Sequence, residues 1–232
     1  MSAQLALPIR LQDHAVFESF WASGNDALVA YLMQVADTRT GPGCWLWGGE
    51  ATGKTHLLQA VCDRLGEDSV YVPLAQFASA APFILDGLAR RRCICLDDID
   101  AVAADERWEH GLFDLWNQVA DASGILVVAA NAALRDSNFA LPDLQSRLSR
   151  LPAFRIEPLA DGDRLQALQL RASHRGLKLP SDTARYLLRR SRRDMASLYR
   201  LLDRLDIEAL QAQRRLTIPF VRDVLERMSS AN

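Results

Sequence analysis

The octapeptide Gly48-Gly49-Glu50-Ala51-Thr52-Gly53-Lys54-Thr55 lies between an apolar run at 44–47 and a helix-patterned stretch at 56–65. A loop of this kind constrains the fold strongly. Its glycines let successive backbone N–H groups turn inward around an anion, and the helix that follows brings its positive end to the same place. Lys54 is placed to reach outer phosphates, and the Thr55 hydroxyl to ligate Mg2+. We therefore expect a strand, loop and helix wrapped around ATP or ADP, with Gly48, Gly49, Glu50, Ala51, Thr52, Gly53, Lys54, Thr55 and His56 as the nucleotide-binding residues and Thr55 also at a metal.

Short apolar runs near 44–47, 69–73, 93–97, 125–130 and 154–157 alternate with helix-patterned stretches. This is the pattern of βαβ units, and it predicts an α/β fold with a five-stranded parallel sheet. Within 108–120, Trp108, Leu112, Leu115, Trp116 and Val119 share one helical stripe, which marks them as core. After Pro158 the strand pattern stops, and helices are expected over 161–175, 181–190, 194–213 and 218–228. Asp161, Ser181, Asp194 and Thr217 stand where N-caps belong, and Gly176 where a left-handed C-cap belongs. The expected organisation is a peptide and linker at 1–14, a nucleotide-binding core at 15–158 and a small all-helical domain at 159–232.

A chain of 232 residues that is 49% hydrophobic excludes disordered and fibrous classes. Cys44, Cys62, Cys93 and Cys95 lie in apolar segments without metal-ligand spacing, so they read as core residues of a reduced compartment. The first residues lack a signal-peptide pattern, and no uncharged run approaches the roughly 18 residues of a membrane span. A cytoplasmic protein without membrane partners is expected. Residues 1–160 carry 12 Lys and Arg against 20 Asp and Glu, a net of −8, whereas 161–232 carry 15 against 9, a net of +6. The basic run Arg189, Arg190, Arg192 and Arg193 suits either a solvated helix face or contact with phosphates.

Cys93-Ile94-Cys95-Leu96-Asp97-Asp98 is an apolar run ending in two carboxylates, and Asp97 follows Lys54 by 43 residues. In a phosphate-loop ATPase this is the place of a magnesium-ordering Asp and a water-activating acid. Asp97 takes the first role and Asp98 the second. Asp98 is one methylene shorter than Glu, so water held for Glu sits too far from it, and intrinsic turnover should be slow. Asn131, after the run at 125–130, is a candidate for orienting water at the γ-phosphate. Arg147, late in a helical stretch, could reach a triphosphate held by a neighbouring subunit, with Arg150 and Arg155 as competitors and a surface ion pair as the alternative. At the N-terminus, Gln4-Leu5-Ala6-Leu7-Pro8 exposes leucines that gain from burial in a partner pocket or on their own domain.

Taken together, QLALP at 4–8, GGEATGKT at 48–55, LDDID at 96–100, LPDLQSRL at 141–148 and TIPFVRDVL at 217–225 resemble the Hda family. These are regulatory relatives of the bacterial replication initiator DnaA, within the AAA+ ATPases, and the resemblance runs the length of the chain. It implies an AAA+ core with a helical lid, and a clamp-binding set of Gln4, Leu5, Leu7 and Pro8 that docks on the DNA polymerase sliding clamp. It also implies a nucleotide-bound protein, ADP above all, working on clamp loaded on DNA. There it would present Arg147 to ATP held by DnaA, acting as a negative regulator of initiation with weak or no ATPase of its own. Arg193, in Arg193-Asp194-Met195, resembles the family's nucleotide sensor. Lys54 and Thr55 are intact where some relatives have a degraded loop, and Asp98 stands where a full hydrolase has Glu. The resemblance does not decide whether the chain forms a homo-oligomer. A helicase loader, a DNA-binding initiator and a small-molecule kinase are the competing readings.

Overall fold

A computed structural model describes residues 15–190 and 195–230. The described residues divide into two compact units: one takes in 15–17 together with Asn25–Glu157, the other Glu18–Gly24, 158–190 and 195–230.

The first unit runs α1 (Asp26–Thr38), β1 (Gly43–Trp47), α2 (Lys54–Leu65), β2 (Ser69–Pro73), β3 (Cys93–Asp97), α3 (Glu106–Asp121), β4 (Ile125–Ala130), α4 (Pro142–Leu148) and β5 (Ala153–Arg155). The five strands are parallel, in the order β2-β3-β4-β1-β5. Strands covered on both faces must be apolar throughout rather than alternating, which is why Cys44, Trp45, Leu46 and all of β3 and β4 are buried. Because β1, β4 and β3 run parallel, the loop leaving β1 and the carboxylates ending β3 open at the same, C-terminal end of the strands, where ligands bind in open α/β folds. Trp108, Leu112, Leu115 and Val119 of α3 join the buried cluster, as their stripe predicts, and the Trp108 indole donates to Ala80 O at 3.2 Å. The last strand ends at Arg155, two residues earlier than expected, although Ile156 N still donates to Trp47 O at 2.7 Å. Asn25 precedes α1 without capping it; its amide instead exchanges hydrogen bonds with the Glu157 backbone, at 3.1 and 2.8 Å, and joins the two ends of the unit. All four cysteines are free and buried, and burial pushes the Cys44 thiol up to about 12.

The second unit contains α5 (Asp161–His174), α6 (Ser181–Arg190), α7 (Met195–Ala212) and α8 (Ile218–Ser230) around a cluster that includes Leu168, Leu187, Leu198, Leu202, Leu205 and Val221. Two cap assignments need correction. Asp161 is the first residue of α5, behind an Ala160 N-cap without a side-chain bond, and its carboxylate pairs with Arg164 at 3.2 Å; Ser181 likewise opens α6 from inside. Thr217 does cap α8, accepting from Phe220 N at 3.5 Å, and Gly176 takes φ +72 after α5. Asp194 lies outside the described residues. Glu18–Gly24 cluster here because Trp21 packs on this apolar cluster, and its indole and the Ser23 hydroxyl donate to the two carboxylate oxygens of Asp163, at 3.2 and 3.0 Å.

Candidate functional site

The loop between β1 and α2 is shaped by two demands. A Cβ on Gly48 would lie 2.4 Å from Ile156 Cγ2, so only glycine lets the chain turn there. Positive φ at Ala51 (56) and Gly53 (105) then bends the backbone into α2, the kind of turn that aims N–H groups into a concavity. Thr52 Oγ1 donates to Gly49 O at 2.9 Å and closes the loop on itself. Lys54 is the first residue of α2 and is buried, its Nζ donating to Gly48 O at 2.7 Å and Gly49 O at 2.8 Å. Burial lowers its pKa, and Asp97, Asp98, Asp100 and Glu50 act against that. Glu50 and Ala51 are exposed, while the His56 ring meets Val16 O at 2.9 Å.

Asp97, 1% exposed at the end of β3, joins this loop. Its Oδ2 accepts from Thr55 Oγ1 at 2.7 Å and from the Tyr71 hydroxyl at 2.8 Å, and its Oδ1 from Asp98 N at 3.1 Å. Burial and the adjacent Asp97 charge raise the Tyr71 pKa, so the phenol stays protonated and remains a donor. A hydroxyl and a carboxylate in contact, next to a lysine held by the loop, fit a magnesium nucleotide: Thr55 and Asp97 would hold the ion and Lys54 the outer phosphates. Among the described residues no group of three or more His, Cys, Asp or Glu is arranged to hold a metal, so an ion here shares its shell with phosphate and water.

Asp98 adopts φ 52 and ψ 46, and it starts the helical turn Ile99–Val102. Burial, then the Asp97 charge, raises its pKa, with Lys54 acting in the opposite sense. Such a carboxyl is a poor resident anion and a short base. Asp100, which the sequence reading passed over, accepts from Asn131 N at 2.5 Å and links that turn to the end of β4. Asn131 thus reaches the acidic loop through its backbone.

Arg147 is not gathered with these groups. It sits on α4, partly exposed, with its guanidinium carbon 6.0 Å from the Phe113 ring centroid of α3, and it forms no ion pair among the described residues. Arg155 pairs with Glu157 at 3.4 Å and lies over Trp47, so the ion-pair alternative applies to it, while Arg150 is exposed. Gln4, Leu5, Leu7, Pro8 and Arg193 lie outside the described residues. Tyr71, Asp100 and Glu109 were missed. Tyr71 shares a sheet face with Asp97 only because β2 neighbours β3, which spacing alone does not reveal.

Comparison with known proteins gives two findings. Residues 161–225 match the family model described as Hda, lid domain. The fold is that of domain III of Thermotoga maritima DnaA, at 18% identity and a TM-score of 0.76 over 94% of this chain and 98% of that one. AMPPCP-bound DnaA from Aquifex aeolicus matches at 19% identity and a TM-score of 0.67, over 85% and 66% of the two chains. The Thermotoga maritima RuvB Holliday junction branch migration motor matches at 17% and 0.63, over 93% and 72%.

Proposed function

The lid-domain match and the DnaA-like fold support an AAA+ protein of the Hda/DnaA family, a DnaA-related replication regulator, and on that premise we propose that this chain drives DnaA from its ATP form to its ADP form. It binds ADP or ATP with Mg2+ through Gly48–Thr55 and Asp97, tethers itself to the sliding clamp through Gln4, Leu5, Leu7 and Pro8, and offers Arg147 to the ATP held by DnaA. Arg193 reads its own nucleotide. The observation that carries this reading is the division of labour in the first unit. Lys54, Thr55, Asp97 and Asp98 lie together at the loop, while Arg147 lies on α4 with its guanidinium carbon 6.0 Å from the Phe113 ring centroid and, among the described residues, without a carboxylate partner. A guanidinium free of ion pairs among the described residues is available to another protein's γ-phosphate, where such a group raises the rate by about 10³–10⁵. Tethering lifts the local concentration to roughly the millimolar range, so a weak contact with DnaA suffices. The slow hydrolysis expected of Asp98 suits a protein whose own nucleotide is structural.

The test is a reconstituted assay of DnaA-bound ATP on clamp-loaded DNA. Wild-type protein should accelerate hydrolysis, and Arg147→Ala should not, while retaining nucleotide and clamp binding. Full stimulation by Arg147→Ala would transfer the role to another arginine, first of all Arg150.

A further inference from the structure

Glu109 of α3 is a glutamate 1% exposed beside the apolar cluster of Trp108 and Leu112, and among the described residues it pairs with no cation. Its carboxylate is instead saturated by backbone N–H groups from two separate segments. Oε1 accepts from Ala104 at 2.8 Å and Ala140 at 3.0 Å; Oε2 accepts from Ala140 at 3.0 Å and Leu141 at 2.6 Å. A buried charge persists only where donors replace its water, so these bonds hold both segments to one point.

The two segments are the ones that matter for the proposed reaction. Ala104, at φ 64, closes the stretch that begins at Asp97 and Asp98 and includes Asp100. Ala140 and Leu141 lead directly into α4, whose first residue is Pro142 and whose last turn carries Arg147. Phe113, under the Arg147 guanidinium, is one turn beyond Glu109 on the same helix. Glu109 therefore joins, through backbone alone, the loop behind the nucleotide site to the N-terminus of the arginine-bearing helix and to the ring on which that arginine rests. Local packing does not require a charge here: neutral side chains fill the surrounding positions 108, 112 and 115.

We propose that Glu109 is a positioning residue for Arg147, fixing the start of α4 against the acidic loop so that the guanidinium is presented in one orientation. This inference rests on the reading of Arg147 as the group offered to DnaA. An ångström of misplacement in a preorganised group lowers a rate by about 10²-fold, whereas the docking surface is left alone.

The experiment compares full-length wild type, Glu109→Gln, Arg147→Ala and the double variant in DnaA-ATP hydrolysis on clamp-loaded DNA, titrating each protein to its plateau. Gln presents an amide hydrogen to the same donors and frees α4 while keeping the volume. Expected for Glu109→Gln is a plateau rate lowered about 10- to 100-fold, a half-saturating concentration within about twofold of wild type, and no further loss when it is added to Arg147→Ala. Should Glu109→Gln fail to fold, Ala140→Pro removes one donor at an exposed position and is expected to lower the plateau in the same way. A wild-type plateau, a loss confined to half-saturation, or additive losses in the double variant overturns the proposal while the Arg147 reading stands. Undiminished stimulation by Arg147→Ala removes the reading itself.

Discussion

Tyr71→Phe removes the phenol that donates to the metal-ordering carboxylate Asp97. The substitution leaves the ring in place at a position 9% exposed and deletes the hydroxyl, which donates to Asp97 Oδ2 at 2.8 Å and also meets the Gln59 side chain. A hydrogen bond to a charged group contributes about 1.5–3 kcal/mol. Asp97 has almost no access to water to replace it, but keeps Thr55 Oγ1 and Asp98 N, which places the expected loss near the middle of that range, about 2 kcal/mol. For a unit of this size the melting temperature should fall by about 4–8 °C. Thermal and urea unfolding, each without nucleotide, measure it. Adding Thr55→Ala to the variant should cost less or more than the sum of the separate losses, because both hydroxyls bind one oxygen. A Tyr71→Phe midpoint within about 1 °C of wild type, or strict additivity with Thr55→Ala, would refute the view that Asp97 is held by this pair.

Two further outcomes are expected. Asp98 has a raised folded-state pKa, so its favourable contribution is complete below the unfolded value of about 4 and is lost as pH rises through the folded value; Asp98→Asn should therefore melt higher than wild type at pH 7, with the gap closing toward acid. A gap independent of pH in melts from pH 4 to 8 contradicts this. Leu5→Ala with Leu7→Ala should abolish capture by immobilised sliding clamp and leave nucleotide binding unchanged, since each leucine is expected to contribute about 1.5–3 kcal/mol on burial; retained capture ends the tether.

What the sequence made legible was whatever short-range chemistry dictates. The glycine spacing of 48–53 and the apolar continuity of β1, β3 and β4 are local properties, and they locate the phosphate loop and the Asp97 strand end without knowledge of the tertiary fold. The stripe on α3 is legible for the same reason. Tyr71 and Glu109 were not, because their significance comes from neighbours distant in the chain. Glu109 reads as an ordinary polar position, although its place one turn before Leu112 and Phe113 puts it at the edge of the apolar stripe, and a carboxylate there has to find donors. Residue type alone makes Asp161 and Ser181 look like caps, but each is the first residue of its helix, one position beyond the capping position.

In the proposed function Arg147 completes the active site of another protein. A structure of this chain with DnaA, a non-hydrolysable ATP analogue and clamp-loaded DNA tests it directly. The Arg147 guanidinium is expected to leave Phe113 and lie within hydrogen-bonding distance, about 2.7–2.9 Å, of a γ-phosphate oxygen bound by DnaA. A guanidinium still stacked on Phe113 and facing solvent, with a different side chain at that phosphate, would contradict it.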